Sequence, residues 1–264
     1  MEATVTKASN PQVQILPDLE AISHQAASFF VAISRNSIAT KGRFAVALSG
    51  GSTPRRLYTL LGSDPYRDKV EWRHVHFFWA DERCVPKEDD ESNFRLAYEA
   101  FLSKITVPAS NIHRVKGEED PEKGAKDYED DLRKFFGMSG LPAFDLMILG
   151  MGEDGHTASL FPGSKSLEET IRLAFPVYMK RPKRDRVTLT LQVLNNSAQI
   201  LFLVSGPSKA KIVHDVLGNE GKTERYPAGL INPSNGNIVW LIDREAARNL
   251  KRSFHDPSIK HSTD

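Results

Sequence analysis

Phe44-Ala45-Val46-Ala47-Leu48-Ser49-Gly50-Gly51-Ser52-Thr53-Pro54 sets the fold class. A short apolar run of β-like composition enters a glycine turn, and Leu57, Leu60 and Leu61 then recur at helical spacing. The order strand, turn, helix repeats along the chain. Val75–Trp79 passes through Ala80-Asp81-Glu82-Arg83 into an expected helix with Phe94, Ala97, Phe101, Leu102 and Ile105 on one face. Residues 144–149 are apolar apart from Asp145, as suits a strand covered on both faces, and they run into Gly150-Met151-Gly152-Glu153-Asp154-Gly155-His156. Residues 13–16 form a short strand before a helix capped by Asp18, 187–191 alternate, 200–204 are continuous, and 238–242 supply a last strand. Gly206-Pro207-Ser208 opens a helix carrying Ile212, Val213, Val216 and Leu217. Strands alternating with helices imply right-handed crossovers and a single-domain α/β fold, a mainly parallel Rossmann-like sheet with helices on both faces. Such sheets bind ligands at the carboxyl ends of their strands, where the turns after Leu48, Trp79, Leu149 and Val204 all fall.

Composition narrows the function. The 264 residues suffice for one α/β domain, expected over 12–252 between tails 1–11 and 253–264, with no linker, repeat or low-complexity segment inside it. With 40% hydrophobic and 26% charged residues the chain falls outside the disordered and disulfide-rich classes. Its 35 basic and 34 acidic side chains leave a net charge of +1, so no global field holds it on nucleic acid or an anionic membrane. Any anion site must be local. Cys84 stands alone, which rules out an internal disulfide and a multi-cysteine metal site and fits a reducing compartment, the cytosol. No apolar run approaches the roughly 20 residues that span a bilayer, and residues 1–10 lack the apolar core of a secretory signal.

Several turns can carry chemistry. Gly50-Gly51-Ser52-Thr53-Pro54 suits an oxyanion, because glycine lets the backbone approach closely, Thr53 can cap, Pro54 fits the first helical position, and free amides face outward at a helix start. It is no P-loop, since no Gly-Lys-Ser/Thr follows. Lys209 lies in the first turn after Gly206-Pro207-Ser208, where it opposes the helix dipole unless an anion binds there. Gly150-Met151-Gly152-Glu153-Asp154-Gly155 matches a dinucleotide fingerprint only formally, because Pro162 and Gly163 interrupt any following helix. Its glycines instead expose Asp154 and His156, a carboxylate beside an imidazole, the pairing that equips a histidine to deprotonate water. Protonation of His156 would switch such a base off. Asp81 and Arg83 offer a carboxylate and a fixed cation at a neighbouring strand end. His74 and His76 read as structural, Cys84 as a packing residue, and the acidic stretch 118–131 as a solvated face; no metal spacing is convincing.

Taken together, Ala47-Leu48-Ser49-Gly50-Gly51-Ser52-Thr53-Pro54, Trp79-Ala80-Asp81-Glu82-Arg83 and the run from Gly150 through Gly155-His156-Thr157-Ala158-Ser159-Leu160-Phe161-Pro162 resemble the signatures of 6-phosphogluconolactonases. The resemblance extends through Arg186-Val187-Thr188-Leu189-Thr190 and Gly206-Pro207-Ser208-Lys209-Ala210 and covers roughly residues 12–250. It implies the fold shared with glucosamine-6-phosphate deaminases and ribose-5-phosphate isomerases, and hydrolysis of 6-phosphogluconolactone in the pentose phosphate pathway, without a cofactor. It further implies His156 as general base, Asp154 as its neighbour and Arg83 as a cation in the pocket. Arg186, Lys209 and the turn Gly50, Gly51, Ser52, Thr53 would hold phosphate. The expected partner is a small sugar phosphate, with no nucleic acid and no membrane, and the protein a monomer or weak homodimer. Two alternatives are disfavoured. Glucosamine-6-phosphate deaminases carry a glutamate in a Phe-Asn-Glu-Pro tetrad where this chain has Ser159-Leu160-Phe161-Pro162. Sugar-phosphate sensors of this fold bring a helix-turn-helix, for which the residues before the first strand are too few.

Overall fold

The computed structural model describes residues 11–137, 140–180, 184–218 and 225–250. In chain order its elements are β1 (Gln12–Leu16), α1 (Leu19–Lys41), β2 (Phe44–Leu48), α2 (Ser52–Leu61), β3 (Val75–Trp79), β4 (Asp81–Arg83), α3 (Asn93–Ala100), α4 (Pro121–Phe136), β5 (Leu146–Leu149), β6 (Ala174–Val177), β7 (Arg186–Leu189), α5 (Leu191–Leu194), β8 (Gln199–Val204), α6 (Ala210–Leu217), β9 (Asn237–Asp243) and α7 (Arg244–Ala247). Six strands form one sheet in the order β1-β9-β8-β5-β2-β3, every pair parallel. The chain runs outward from β2 to the edge strand β3 and returns to β5 on the other side of β2. The strand order therefore reverses between β2 and β5, which opens a crevice at their carboxyl ends.

The near-continuous apolar strands follow from this layering, since successive side chains point to opposite faces and both faces are covered. Phe44, Val46 and Leu48 of β2, with Val75, Phe77 and Trp79 of β3, enter a core shared with α1, α2 and α3. Ala45 and Ala47 of the same β2, with Phe78, Met147, Leu149 and Phe202, enter a second core under α4, α5, α6 and α7. Asp18 caps α1 as expected, its Oδ1 accepting the Ala21 amide at 2.9 Å. No helix among the described residues is long and apolar enough to cross a membrane.

Three expectations change. Asp81-Glu82-Arg83 does not lead directly into a helix; it is strand β4, paired antiparallel with β7, and with β6 these make a separate three-stranded sheet in the order β4-β7-β6. Residues 187–191 contribute to that small sheet, and β6 was not anticipated at all. The reason is that β4 is three residues long and charged, so its conformation comes from a partner remote in sequence and not from local propensity. The helix expected to reach Ile105 ends at Ala100, where Phe101 leaves helical geometry and a 3-10 turn, Leu102–Lys104, follows.

Ala80 joins the two sheets, its amide bonding Leu48 O at 2.8 Å while its carbonyl accepts from the Leu189 amide at 2.8 Å. This junction places Asp81 and Arg83 beside the crevice. The open edge of β3 is closed by the Asn111 amide on Val75 O, the His113 backbone on Phe77 O and the Tyr128 hydroxyl, which donates to Trp79 O at 2.8 Å and accepts from Trp79 N at 2.9 Å.

Candidate active site

The carboxyl ends of β2, β5 and β8 open into a cleft of about 440 Å³. Gly50, Gly51, Ser52, Thr53, Asp81, Arg83, His156, Arg186 and Lys209 all line it, so the sequence-selected residues converge from four strand ends and the small sheet. Asp154 is outside the lining and stands behind His156.

On the β2 side, buried Tyr58 clasps the residue before the glycines, donating its hydroxyl hydrogen to Ser49 O at 2.7 Å and accepting from Ser49 N at 3.1 Å. A Cβ on Gly50 would fall 1.7 Å from Asn93 Oδ1, so glycine is required there by close approach. Gly51, at φ 108°, is the N-cap of α2 and no side chain caps that helix. Thr53 thus does not cap, and Pro54 is the third helical residue, not the first. With no acidic residue in the first turn, the helix start presents unpaired amides and the positive end of its dipole.

From β3 and β4 come Asp81 and Arg83, and the residue that holds them is Asn93, which the sequence reading passed over. Asn93 is 1% exposed; its Nδ2 donates to Asp81 O at 2.8 Å and Oδ1 at 3.2 Å, and its Oδ1 accepts from Arg83 Nη1 at 2.6 Å. Glu82 fixes Asn93 in turn, accepting the amides of Arg83, Asn93 and Phe94 at 2.7, 2.7 and 2.8 Å. Burial pushes the Glu82 carboxyl up to about 7 against these hydrogen bonds. In the β4–β7 register Arg83 lies opposite Arg186, a like-charge juxtaposition that is unfavourable without a counter-anion. Asp81 supplies part of that charge, its carboxylate 3.7 Å from Arg186 and accepting the Ser159 hydroxyl at 2.6 Å. Burial draws the Arg186 guanidinium below its usual value, Asp81 opposing and Arg83 adding to the shift. The Nε atoms of both arginines are buried without a hydrogen-bond partner among the described residues.

After β5, the turn carries His156 with its Nδ1 2.6 Å from Asp154 Oδ1. Burial alone would raise the Asp154 carboxyl, but the charge and hydrogen bonds of His156 prevail and hold it below the ordinary carboxylate range. An ionised Asp154 accepts from Nδ1–H and leaves Nε2 as the free lone pair. Gly152 is obligatory, since a Cβ there would sit 2.1 Å from His156 Nδ1 and 2.7 Å from Asp154 Oδ1. No helix follows this turn, in keeping with rejection of the dinucleotide fingerprint. Phe161 packs its ring 4.6 Å from the His156 ring and 5.5 Å from the Arg186 guanidinium, placing an apolar wall between them.

Beyond β8, Asp243 holds the last turn, its carboxylate accepting the Ser205 hydroxyl at 2.5 Å and the Gly206 amide at 2.9 Å while capping α7 through the Ala246 amide. Lys209 ends the 3-10 turn Pro207–Lys209 at the start of α6, and its ammonium has no hydrogen bond or ion pair among the described residues.

An α/β sheet with a histidine–carboxylate pair and cationic turns at its switch point defines a class of proteins acting on phosphorylated sugars. The sequence pattern of the family described as glucosamine-6-phosphate isomerases/6-phosphogluconolactonase matches residues 17–240, and the chain belongs to that family. It is 36% identical over 244 residues to the 6-phosphogluconolactonase of Synechocystis sp., covering 91% of this chain and 99% of the relative. The solved structure of 6-phosphogluconolactonase from Trypanosoma brucei is 28% identical, superposes with a TM-score of 0.81 and covers 93% of this chain and 100% of that one. A monomeric glucosamine-6-phosphate deaminase, 23% identical with a TM-score of 0.76 over 90% of this chain and 99% of its own, shares the fold.

Proposed function

We propose that the chain hydrolyses 6-phospho-D-glucono-1,5-lactone to 6-phospho-D-gluconate, the lactonase step of the oxidative pentose phosphate pathway. The observation that carries this reading is the His156–Asp154 pair, 2.6 Å apart, in one cleft with the α2 amides and Lys209. A δ-lactone is an activated ester, so it needs a positioned water, a base and charge stabilisation, and no covalent nucleophile. In this reading Nε2 of His156 takes a proton from water as its oxygen bonds the lactone carbonyl carbon, Asp154 steadying the imidazolium. The tetrahedral intermediate then expels the ring oxygen, which takes the proton back from His156 as the C–O bond breaks. Arg83 faces the developing charge. Gly50, Gly51, Ser52, Thr53, Arg186 and Lys209 hold the phosphate, and Asp81 positions Arg186. A general base is worth about 10² to 10⁴ in rate and an oxyanion donor about 10² to 10³.

The relatives and the deaminase fold neighbour leave two chemistries to separate, and Phe161 favours the lactonase, since it supplies no acid for ring opening. No metal or cofactor enters any step, and a monomer or weak homodimer in the cytosol completes the reading. The test is proton release from freshly generated 6-phosphogluconolactone, corrected for spontaneous hydrolysis, beside ammonia release from glucosamine 6-phosphate. Rapid proton release without ammonia is expected; ammonia at comparable rates would overturn the assignment.

A further inference from the structure

We propose that a second anion subsite adjoins the cleft and takes the second phosphate of a doubly phosphorylated small molecule that competes with substrate. A neighbouring cavity of about 440 Å³ shares Gly51, Ser52, Arg83 and Arg186 with the cleft, and its far side adds Arg55 and Arg184. Four arginines line this cavity against two acidic residues, Asp90 and Glu91; Arg186 also has Asp81 at 3.7 Å, and Arg83 is held by Asn93 and Glu91 O. Asp90 is already held by Arg95 at 2.6 Å, and Glu91 lies 3.4 Å from Arg184. In a chain whose net charge is +1, this is a local concentration of positive charge and not part of a general field.

Arg55 points to a ligand most directly. Its neighbour Arg56 is gripped by both oxygens of Glu20 at 2.6 and 2.7 Å, whereas the Arg55 guanidinium has no partner among the described residues. Arg55 is the fourth residue of α2, where a cation opposes the helix dipole and no acid in the first turn offsets it. The facing Arg83 and Arg186 add two further guanidinium groups to the shared wall. One sugar phosphate seated at the α2 amides and Lys209 leaves the Arg55 and Arg184 side for a separate oxyanion, and guanidinium forks suit phosphate geometry. The inference rests on the sugar-phosphate reading of the adjoining cleft.

Calorimetry with fructose 1,6-bisphosphate and fructose 6-phosphate, each also in competition with 6-phosphogluconate, tests it on the wild type and on an R55A/R184A variant. Both replaced residues are exposed, and lactonase kcat/KM should stay within a few-fold. The bisphosphate should bind the wild type at least about tenfold more tightly than the monophosphate and displace 6-phosphogluconate, and the variant should lose that preference. Equal affinities in the wild type, or a preference that survives in the variant, would overturn the subsite. A wild type that prefers the bisphosphate yet leaves the lactone untouched would sink the lactonase reading and keep the subsite.

Discussion

Replacing Asn93 with alanine probes how the cleft is held together. The side chain donates to Asp81 O at 2.8 Å and accepts from Arg83 at 2.6 Å, and at 1% exposure no water takes its place without rearrangement. A hydrogen bond to a charged group contributes about 1.5–3 kcal/mol and a neutral one about 0.5–1.5 kcal/mol, so the loss should be about 2–4.5 kcal/mol of stability. Set against a total of about 5–15 kcal/mol, the variant remains folded at room temperature with a lowered urea midpoint. Arg83 keeps its bond to Glu91 O at 2.7 Å, so it should be displaced and not set free, and the kinetic loss should be smaller than in R83A. Urea denaturation and lactonase kinetics on N93A, R83A and the double variant close a double-mutant cycle, with an expected coupling of about 0.5–3 kcal/mol. An unchanged urea midpoint in N93A, or penalties in kcat/KM that simply add, would refute the idea that Asn93 acts through Arg83.

Lys209→Ala should weaken 6-phosphogluconate binding by about ten- to a hundredfold, the loss of one charge-assisted contact, with little change in thermal stability and almost no effect on unphosphorylated gluconolactone. Calorimetry showing wild-type affinity would remove Lys209 from the phosphate site. Gly152→Ala should cut kcat by up to about 10² to 10⁴ with product affinity retained, because its Cβ would overlap His156 Nδ1 at 2.1 Å and turn the imidazole away from the cleft. A normal kcat in that variant would mean that the Asp154–His156 geometry is not needed.

The strand-turn-helix repeats and the glycine turns were legible because they are local: apolar runs, helical spacing and glycine write the strands β2, β3, β5 and β8 directly into sequence. Ten residues named from sequence were chosen, and nine line one cleft, since in a parallel sheet the carboxyl ends of adjacent strands lie side by side. What the sequence concealed is non-local. The β4–β7 pairing that sets Arg83 against Arg186 joins remote segments, so Asp81-Glu82-Arg83 looked like a lead into a helix. Asn93, Glu82 and Asp243 look like ordinary polar residues until burial and four or more converging bonds reveal them as struts. Tyr58 and Tyr128 are equally silent in the sequence, yet each hydroxyl serves the backbone of a strand end. Thr53 as a cap failed because Gly51, whose φ is 108°, starts the helix earlier.

The central claim is that His156 removes a proton from water while separate turns hold the phosphate. It is tested most directly by measuring kcat and 6-phosphogluconate affinity together in His156→Asn. The account predicts a folded protein that binds 6-phosphogluconate as the wild type does, with kcat lower by about 10² to 10⁴. A folded variant with near-normal kcat would contradict it, showing that another group, or water unaided, takes the proton.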